Sequence, residues 1–220
     1  MQPISLALDI KSLAFSSALT FEEFLTISPV YGDLIRQRVV EVRLPAAGQH
    51  YFSSYPDTLY FIVLVSPDDP DTVAILPILH MIAAVSPRIE MRILCDEDDL
   101  TRLDLLVDDL DLSGDLDELD LPLLVVLDEA WNYQDRWGPR PTAANHYLDQ
   151  WLEANPEYER LADEDGDEAQ DAYAALLDKL TYEMRVWYNT SLNVACVAEI
   201  RTLLANLQTD TQNGDATTDS

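Results

Sequence analysis

The stretch that most constrains this chain runs from Leu59 to Val85, LYFIVLVSPDDPDTVAILPILHMIAAV. Leu59 to Val65 is an apolar run of strand length, and it stops at Ser66-Pro67. A helical pattern then opens at Asp69-Pro70-Asp71-Thr72, with apolar residues at Val73, Leu76, Leu79 and Ala83 on one face. A carboxylate at the cap position accepts orphan backbone N–H groups, proline suits the first helical position, and a second acid complements the helix dipole. Asp69, Pro70 and Asp71 fill those roles, and Pro77 inside the helix removes one backbone bond. A buried strand feeding a helix is therefore expected.

Further along, Ile89 to Cys95 alternates as a strand, which makes a β-α-β unit with parallel pairing. Asp96 to Asp120 begins as an amphipathic helix carrying Leu100, Leu103, Leu106 and Val107. Leu121 to Leu127 reads as a strand with Pro122 near its start. Asp128 to Asn132 reads as a hairpin turn, Tyr133 to Trp137 as an antiparallel strand, and Thr142 as the cap of a helix through Trp151 and Leu152.

At the N-terminal side, Thr20 with Glu23 forms a capping box. A second helix is expected from Ser28-Pro29, with Tyr31, Leu34, Ile35 and Val39 on one side, and Gly48 to Thr58 reads as a loop. At the C-terminal side, residues 155 to 168 read as acidic and irregular. Tyr173, Leu177, Leu180, Met184 and Trp187 then mark a helix, Asn189-Thr190-Ser191 interrupts it, and Val194, Val197, Ile200 and Leu204 resume it. From Gln208 onward the chain has nothing to bury and is expected to be disordered.

The strand, the Asp69 helix with its kinking proline, and the run Trp137-Gly138-Pro139-Arg140-Pro141 together resemble the thioredoxin superfamily, most closely its bacterial thioredoxin family proteins. There a central strand ends at a Cys-x-x-Cys motif on a helix N-terminus, and a proline kinks that helix eight positions later. Asp69 and Thr72 stand at the two cysteine positions and Pro77 at the kink, so the former redox motif reads Asp69-Pro70-Asp71-Thr72. The likeness runs from about Thr20 to Leu207. It implies an α/β fold of thioredoxin-like type, a mixed central sheet flanked by helices, with N- and C-terminal helical extensions. It divides the chain into a domain at 1–155, a helical extension at 156–207 and a tail at 208–220. It also implies a cis-proline at Pro122 facing the motif, and a convergence of three loops into one face made of Asp68, Leu121, Pro122, Leu123, Trp137, Gly138, Pro139 and Arg140.

Disulfide exchange needs a low-pKa thiolate and a resolving thiol. Neither a carboxylate nor a hydroxyl can replace them, so the resemblance implies the fold without the reaction. The expectation is a redox-inactive protein-binding or chaperone-like module with no catalytic residue and a protein or peptide partner. Two other readings stay open: a thiol–disulfide oxidoreductase using Cys95, and a calcium-responsive structural protein.

The calcium reading comes from the segment Asp109 to Asp120, where Asp109, Asp111, Ser113, Asp115, Asp117 and Asp120 carry oxygen at EF-hand spacing around Gly114. Asp at the twelfth place reaches less far than Glu, and Leu121-Pro122 starts a strand where an exiting helix belongs. A solvated acidic loop is the competing account. Otherwise no cofactor is expected. Cys95 and Cys196 fit no disulfide framework or zinc set. His50, His80 and His146 share no ligand spacing, and Tyr173, Tyr182, Trp187 and Tyr188 read as helix packing.

Charge limits the partners further. The chain has 41 acidic against 13 basic residues, a formal net charge of −28, and only Lys11 and Lys179 as lysines. Nucleic acid and anionic membranes repel such a surface, and a dense Asp surface suits a salt-adapted source. Asp9 interrupts the first apolar run and no segment reaches membrane-spanning length, so a soluble, cytoplasmic protein is expected.

Overall fold

The computed structural model describes residues 3–28, 31–95, 97–107 and 119–215. Its centre is a four-stranded sheet of β1 (Leu59–Leu64), β2 (Ile89–Leu94), β3 (Leu123–Asp128) and β4 (Tyr133–Trp137), ordered β2-β1-β3-β4. β1 runs parallel to β2 in register Leu59 with Ile89, while β3 lies antiparallel to both β1 and β4. On the outer edge of β2, Leu19 and Ile93 exchange backbone hydrogen bonds of 3.1 and 2.8 Å.

Successive residues of a strand face opposite sides of a sheet, and β1 is apolar at every position, so both sides need cover. Phe61, Val63 and Val65 face one core, together with Ile93, Leu124 and Val126. Ile62 and Leu64 face the other, with Leu94, Val125 and Leu127. The second core is closed by α1 (Pro3–Ser17) through Ala14 and Phe15, by Ala18 just after it, and by α6 (Glu97–Leu106) through Leu103 and Leu106.

The first core holds the central helix α5 (Pro70–Val85), which is buried at every residue from Pro70 to Leu79 and again at Ile82. The spacing of Val73, Leu76, Leu79 and Ala83 predicts a helix here. Burial extends around the helix, because α5 is enclosed on several sides. Around it lie α2 (Phe21–Ile27), α3 (Gly32–Glu41), α4 (Ala46–Ser53), α7 (Thr142–Ala154), α8 (Glu157–Ala162), α9 (Asp167–Trp187) and α10 (Asn193–Asp215), with α9 and α10 joined by a π-helical turn at Tyr188–Leu192. Leu180, Met184, Tyr188, Leu192, Val197, Ile200 and Leu204 belong to the same core cluster as α5.

Several sequence expectations are corrected here. Most of the Gly48 to Thr58 loop is α4. Gly48 serves close packing there, since a Cβ would lie 2.6 Å from Val197 Cγ1. The acidic 155–168 segment contains α8. Thr142 opens α7, but its side chain is no cap; Pro141 holds the cap position, and the Thr142 N–H donates instead to Glu199 Oε1 at 2.8 Å. Asn189-Thr190-Ser191 does not break the helix, since the π turn absorbs it. The disordered tail expected from Gln208 is instead helical through Asp215. By contrast the Thr20–Glu23 capping box is present, with Thr20 N–H donating to Glu23 Oε2 at 2.9 Å.

Leu79 is fully buried on α5. Leu79→Ala is expected to cost about 2–5 kcal/mol, the range for removing a buried leucine side chain from a core, read as a lower denaturant midpoint at unchanged slope.

Candidate functional site

The start of α5 lies at the C-terminal end of β1, where Asp69 is the helix cap with φ −97° and ψ 130°. Its Oδ1 accepts the Asp71 N–H at 3.0 Å, which satisfies one orphan donor of the first turn. Asp71 is only 5% exposed, and its Oδ2 accepts from Arg140 Nε at 3.0 Å and from Arg140 Nη2. One ion pair thus ties the loop after β4 to the first turn of α5.

A second tie joins that loop to the start of β3. Gly138, at φ 142°, packs so closely that a Cβ would lie 2.2 Å from the carbonyl oxygen of Pro122, a backbone approach that only glycine permits. The Leu121–Pro122 and Gly138–Pro139 peptide bonds are both cis. A third tie runs to α10, where Glu199 Oε2 accepts from Trp137 Nε1 at 2.9 Å and Glu199 Oε1 holds the start of α7.

The three loops named from the sequence therefore meet. Asp68 and Gly138 are exposed, Asp69, Leu121, Trp137, Pro139 and Arg140 are half-buried, and Pro70, Asp71, Thr72, Pro122 and Leu123 are buried. Beside them a cleft of about 360 Å³ is lined by Leu119, Asp120, Leu123, Arg136, Trp137 and Gly138.

Burial decides the electrostatics. It pushes the Asp69 carboxyl up from 3.8 to about 7, helped by the neighbouring Asp71 and opposed by the Asp71 N–H and Arg140. Asp71 is also raised by burial, although Arg140 pulls the other way. Desolvation outweighs the helix dipole and the cation, because charge is costly where water is excluded. Three polar atoms here are buried without a protein partner: Asp71 Oδ1, Thr72 Oγ1 and Tyr188 Oη. Tyr188 is fully buried, and its hydroxyl is pushed well above 10 by burial first and by Asp71 second.

From sequence Tyr188 read only as helix packing and Glu199 carried no signal beyond helical periodicity; both arrive from far along the chain. Arg140 was named only as part of the face, without its partner.

The thiols are elsewhere. Cys95, half-buried at the end of β2, has its N–H on Asp99 Oδ2 at 2.7 Å. Cys196 is fully buried and its thiol is pushed well up by burial. The two are not joined in a disulfide. Of the EF-hand-like set, Asp109, Asp111, Ser113, Asp115 and Asp117 lie outside the described residues, and Asp120 is exposed on the cleft. Among the described residues, no group of three or more His, Cys, Asp or Glu could hold a metal ion. His80 stacks on Phe21 at 3.8 Å, while His50 and His146 are exposed. Of the aromatic set, Tyr173 packs on Tyr158 and Trp187 on Tyr147, while Tyr182 is exposed.

Residues 18–152 match a family model described as Thioredoxin. The chain belongs to the thioredoxin family. Two solved structures share this thioredoxin-like fold. A crystal structure of an HIV epitope-scaffold has 20% identity and a TM-score of 0.54, covering 89% of this chain and 97% of its own. A protein of unknown function from Pseudomonas aeruginosa has 22% identity and a TM-score of 0.52, covering 89% of this chain and 96% of its own. No curated protein matches the chain. Among the described residues, no helix of this thioredoxin family member is long and apolar enough to cross a membrane.

At the start of α5, Asp69 and Asp71 can hold or exchange a proton, but no mixed disulfide can form on a carboxylate.

Two predictions follow from this geometry. The folded pKa of Asp69 lies above its ordinary 3.8, so the native state binds more protons than the unfolded state between about 3.8 and about 7. Its contribution is therefore fully present below that window and is lost as pH rises through it. Asp69→Asn, which keeps a capping oxygen, is expected to flatten that part of the stability–pH curve relative to wild type, measured by urea unfolding from pH 4 to pH 8. Arg140→Met strands the Asp71 carboxylate and is expected to cost about 3 kcal/mol. Adding Asp71→Asn should restore part of that loss in a double-mutant cycle, whereas two independent sites would simply add.

Proposed function

We propose that this chain is a redox-inactive member of the thioredoxin family that works in the cytoplasm as a protein-binding module, holding an extended peptide at the end of the sheet where Pro122 and Trp137 meet. The observation that carries this reading is the occupation of the α5 N-terminus by Asp69 and Asp71, with Arg140 locked on Asp71, beside an open cleft of about 360 Å³. The chemistry that the fold supports elsewhere has no nucleophile here, while the concave surface beside it persists.

The cleft adjoins the last residues of β4, the outer strand of the sheet. An edge strand offers backbone donors and acceptors to an extended segment, and pockets beside it select side chains. Asp120 and Arg136 give the cleft one charge of each sign, and Leu123 and Trp137 give it an apolar floor. A peptide with an apolar anchor between polar residues fits that lining. Neither nucleic acid nor an anionic membrane suits a chain with 41 acidic and 13 basic residues. This reading requires no cofactor.

Two measurements test it. In an insulin-reduction assay with dithiothreitol, the protein is expected to give no acceleration over buffer, and robust dithiol reduction would overturn the redox-inactive reading. Selection from a displayed peptide library should enrich extended sequences whose affinity falls about tenfold or more in Asp120→Lys plus Arg136→Glu, two exposed positions on the cleft. Enriched peptides that bind the variant as well as wild type would remove the site.

A further inference from the structure

A second cavity, of about 200 Å³, lies between α3, α9 and Val73 in the first turn of α5. Leu34 and Val73 supply apolar walls, Arg38 and Arg185 supply cations, and Asp178 is exposed at its rim. None of these residues belongs to the cleft beside Pro122.

Arg38 is the unusual member. It is 1% exposed and, among the described residues, the largest fully buried side chain. Its Nη1 donates to Asn189 Oδ1 and its Nη2 to Asn193 Oδ1 at 3.2 Å, but its Nε is buried with no hydrogen-bond partner. Both asparagines are neutral. The π turn at Tyr188–Leu192 lies between α9 and α10 where these asparagines reach Arg38, and such insertions recur at functional sites.

The carboxylate that should balance this charge is already taken. Glu41 Oε2 lies 3.7 Å from Arg38 Nη1. It also accepts from Arg185 Nε at 2.9 Å and from Asn189 Nδ2 at 2.9 Å, while its Oε1 accepts from Arg185 Nε at 3.1 Å and from Arg185 Nη2. Arg185 holds Glu41 at a carboxyl pKa of about 2, so Glu41 is a full anion shared by two guanidinium groups. A buried guanidinium with a spare donor is costly unless something completes it. That a chain with 41 acids and 13 bases leaves two guanidiniums on one glutamate beside a cavity makes an anion the natural complement.

We propose that this cavity is a binding site for a small monocarboxylate with a compact apolar body, its carboxylate seated on Arg38 and its body packed on Leu34 and Val73. The size limits the ligand to on the order of ten non-hydrogen atoms at interior packing density. Glu41 and Asp178 repel a second negative charge, which favours a monocarboxylate over a phosphate. The apolar walls favour a hydrocarbon body over a sugar or a second acid.

The test uses the full chain, isotopically labelled, titrated with benzoate and with hexanoate at fixed ionic strength, with benzyl alcohol as the neutral control. Saturable amide shifts clustered around Leu34, Val73 and Thr181 are expected with either carboxylate and absent with the alcohol. Leu34→Trp fills the cavity while leaving both guanidiniums in place, and is expected to weaken binding about tenfold or more. Arg38→Met should do the same where it folds. Absence of saturable shifts from both carboxylates, shifts centred on another part of the molecule, equal binding of benzyl alcohol, or unchanged binding by Leu34→Trp would each overturn the assignment.

Discussion

A helix with almost no solvent face has to be finished from inside the protein, and α5 is such a helix. Its residues from Pro70 to Leu79 are buried without a break. Its first-turn N–H groups therefore look to side chains instead of bulk water. Asp69 supplies one acceptor from the chain itself, at the cost of placing a carboxylate where water is scarce. Asp71 adds a second carboxylate, and Arg140 arrives from the loop after β4 to neutralise it. The position of that loop, its glycine pressed onto Pro122, and the anchoring of Trp137 on Glu199 form one connected arrangement around the helix start.

The same constraint explains the C-terminal helices. The family match ends at residue 152, yet the core does not. Met184, Tyr188, Leu192, Val197 and Ile200 share one apolar cluster with Val73, Leu76 and Leu79. Gly48 lets α4 approach Val197 more closely than any side chain would allow. The extension is thus a wall of the main core, and α5 would expose apolar surface without it.

What could be read from the chain was what is local. The strand from Leu59, the Asp69 cap, the Thr20–Glu23 capping box and the hairpin after Asp128 each rest on neighbours within a few positions, and each is present. What failed depended on distant partners. Gly48 was taken as a loop signal although it marks a helix contact with Val197. Thr142 was taken as a cap although a glutamate 57 positions later does that work. Asn189 looks like a helix breaker in sequence, yet its side chain, with that of Asn193, reaches the buried Arg38 on a helix more than 150 positions earlier. At the site, the acids of the α5 start were legible as caps, whereas the pairing of Asp71 with Arg140 spans 69 positions and left no local trace.

Two charge clusters close to α5 carry opposite mismatches. At its N-terminus two carboxylates, Asp69 and Asp71, share one guanidinium, so burial leaves one acid holding a proton up to about neutral pH. Between α3 and α9 two guanidiniums, Arg38 and Arg185, share one carboxylate, Glu41. Tyr188 lies between them and feels Asp71, Arg140 and Arg38 together. A thiolate at a helix start is stabilised by the dipole and becomes a better leaving group and a more available nucleophile. A carboxylate in the same place, deprived of water by burial, is driven the other way, toward its neutral form. At this helix start burial favours the protonated form of Asp69. Charge at the Asp69 end of this buried network is consequently set by protonation, which requires no thiol.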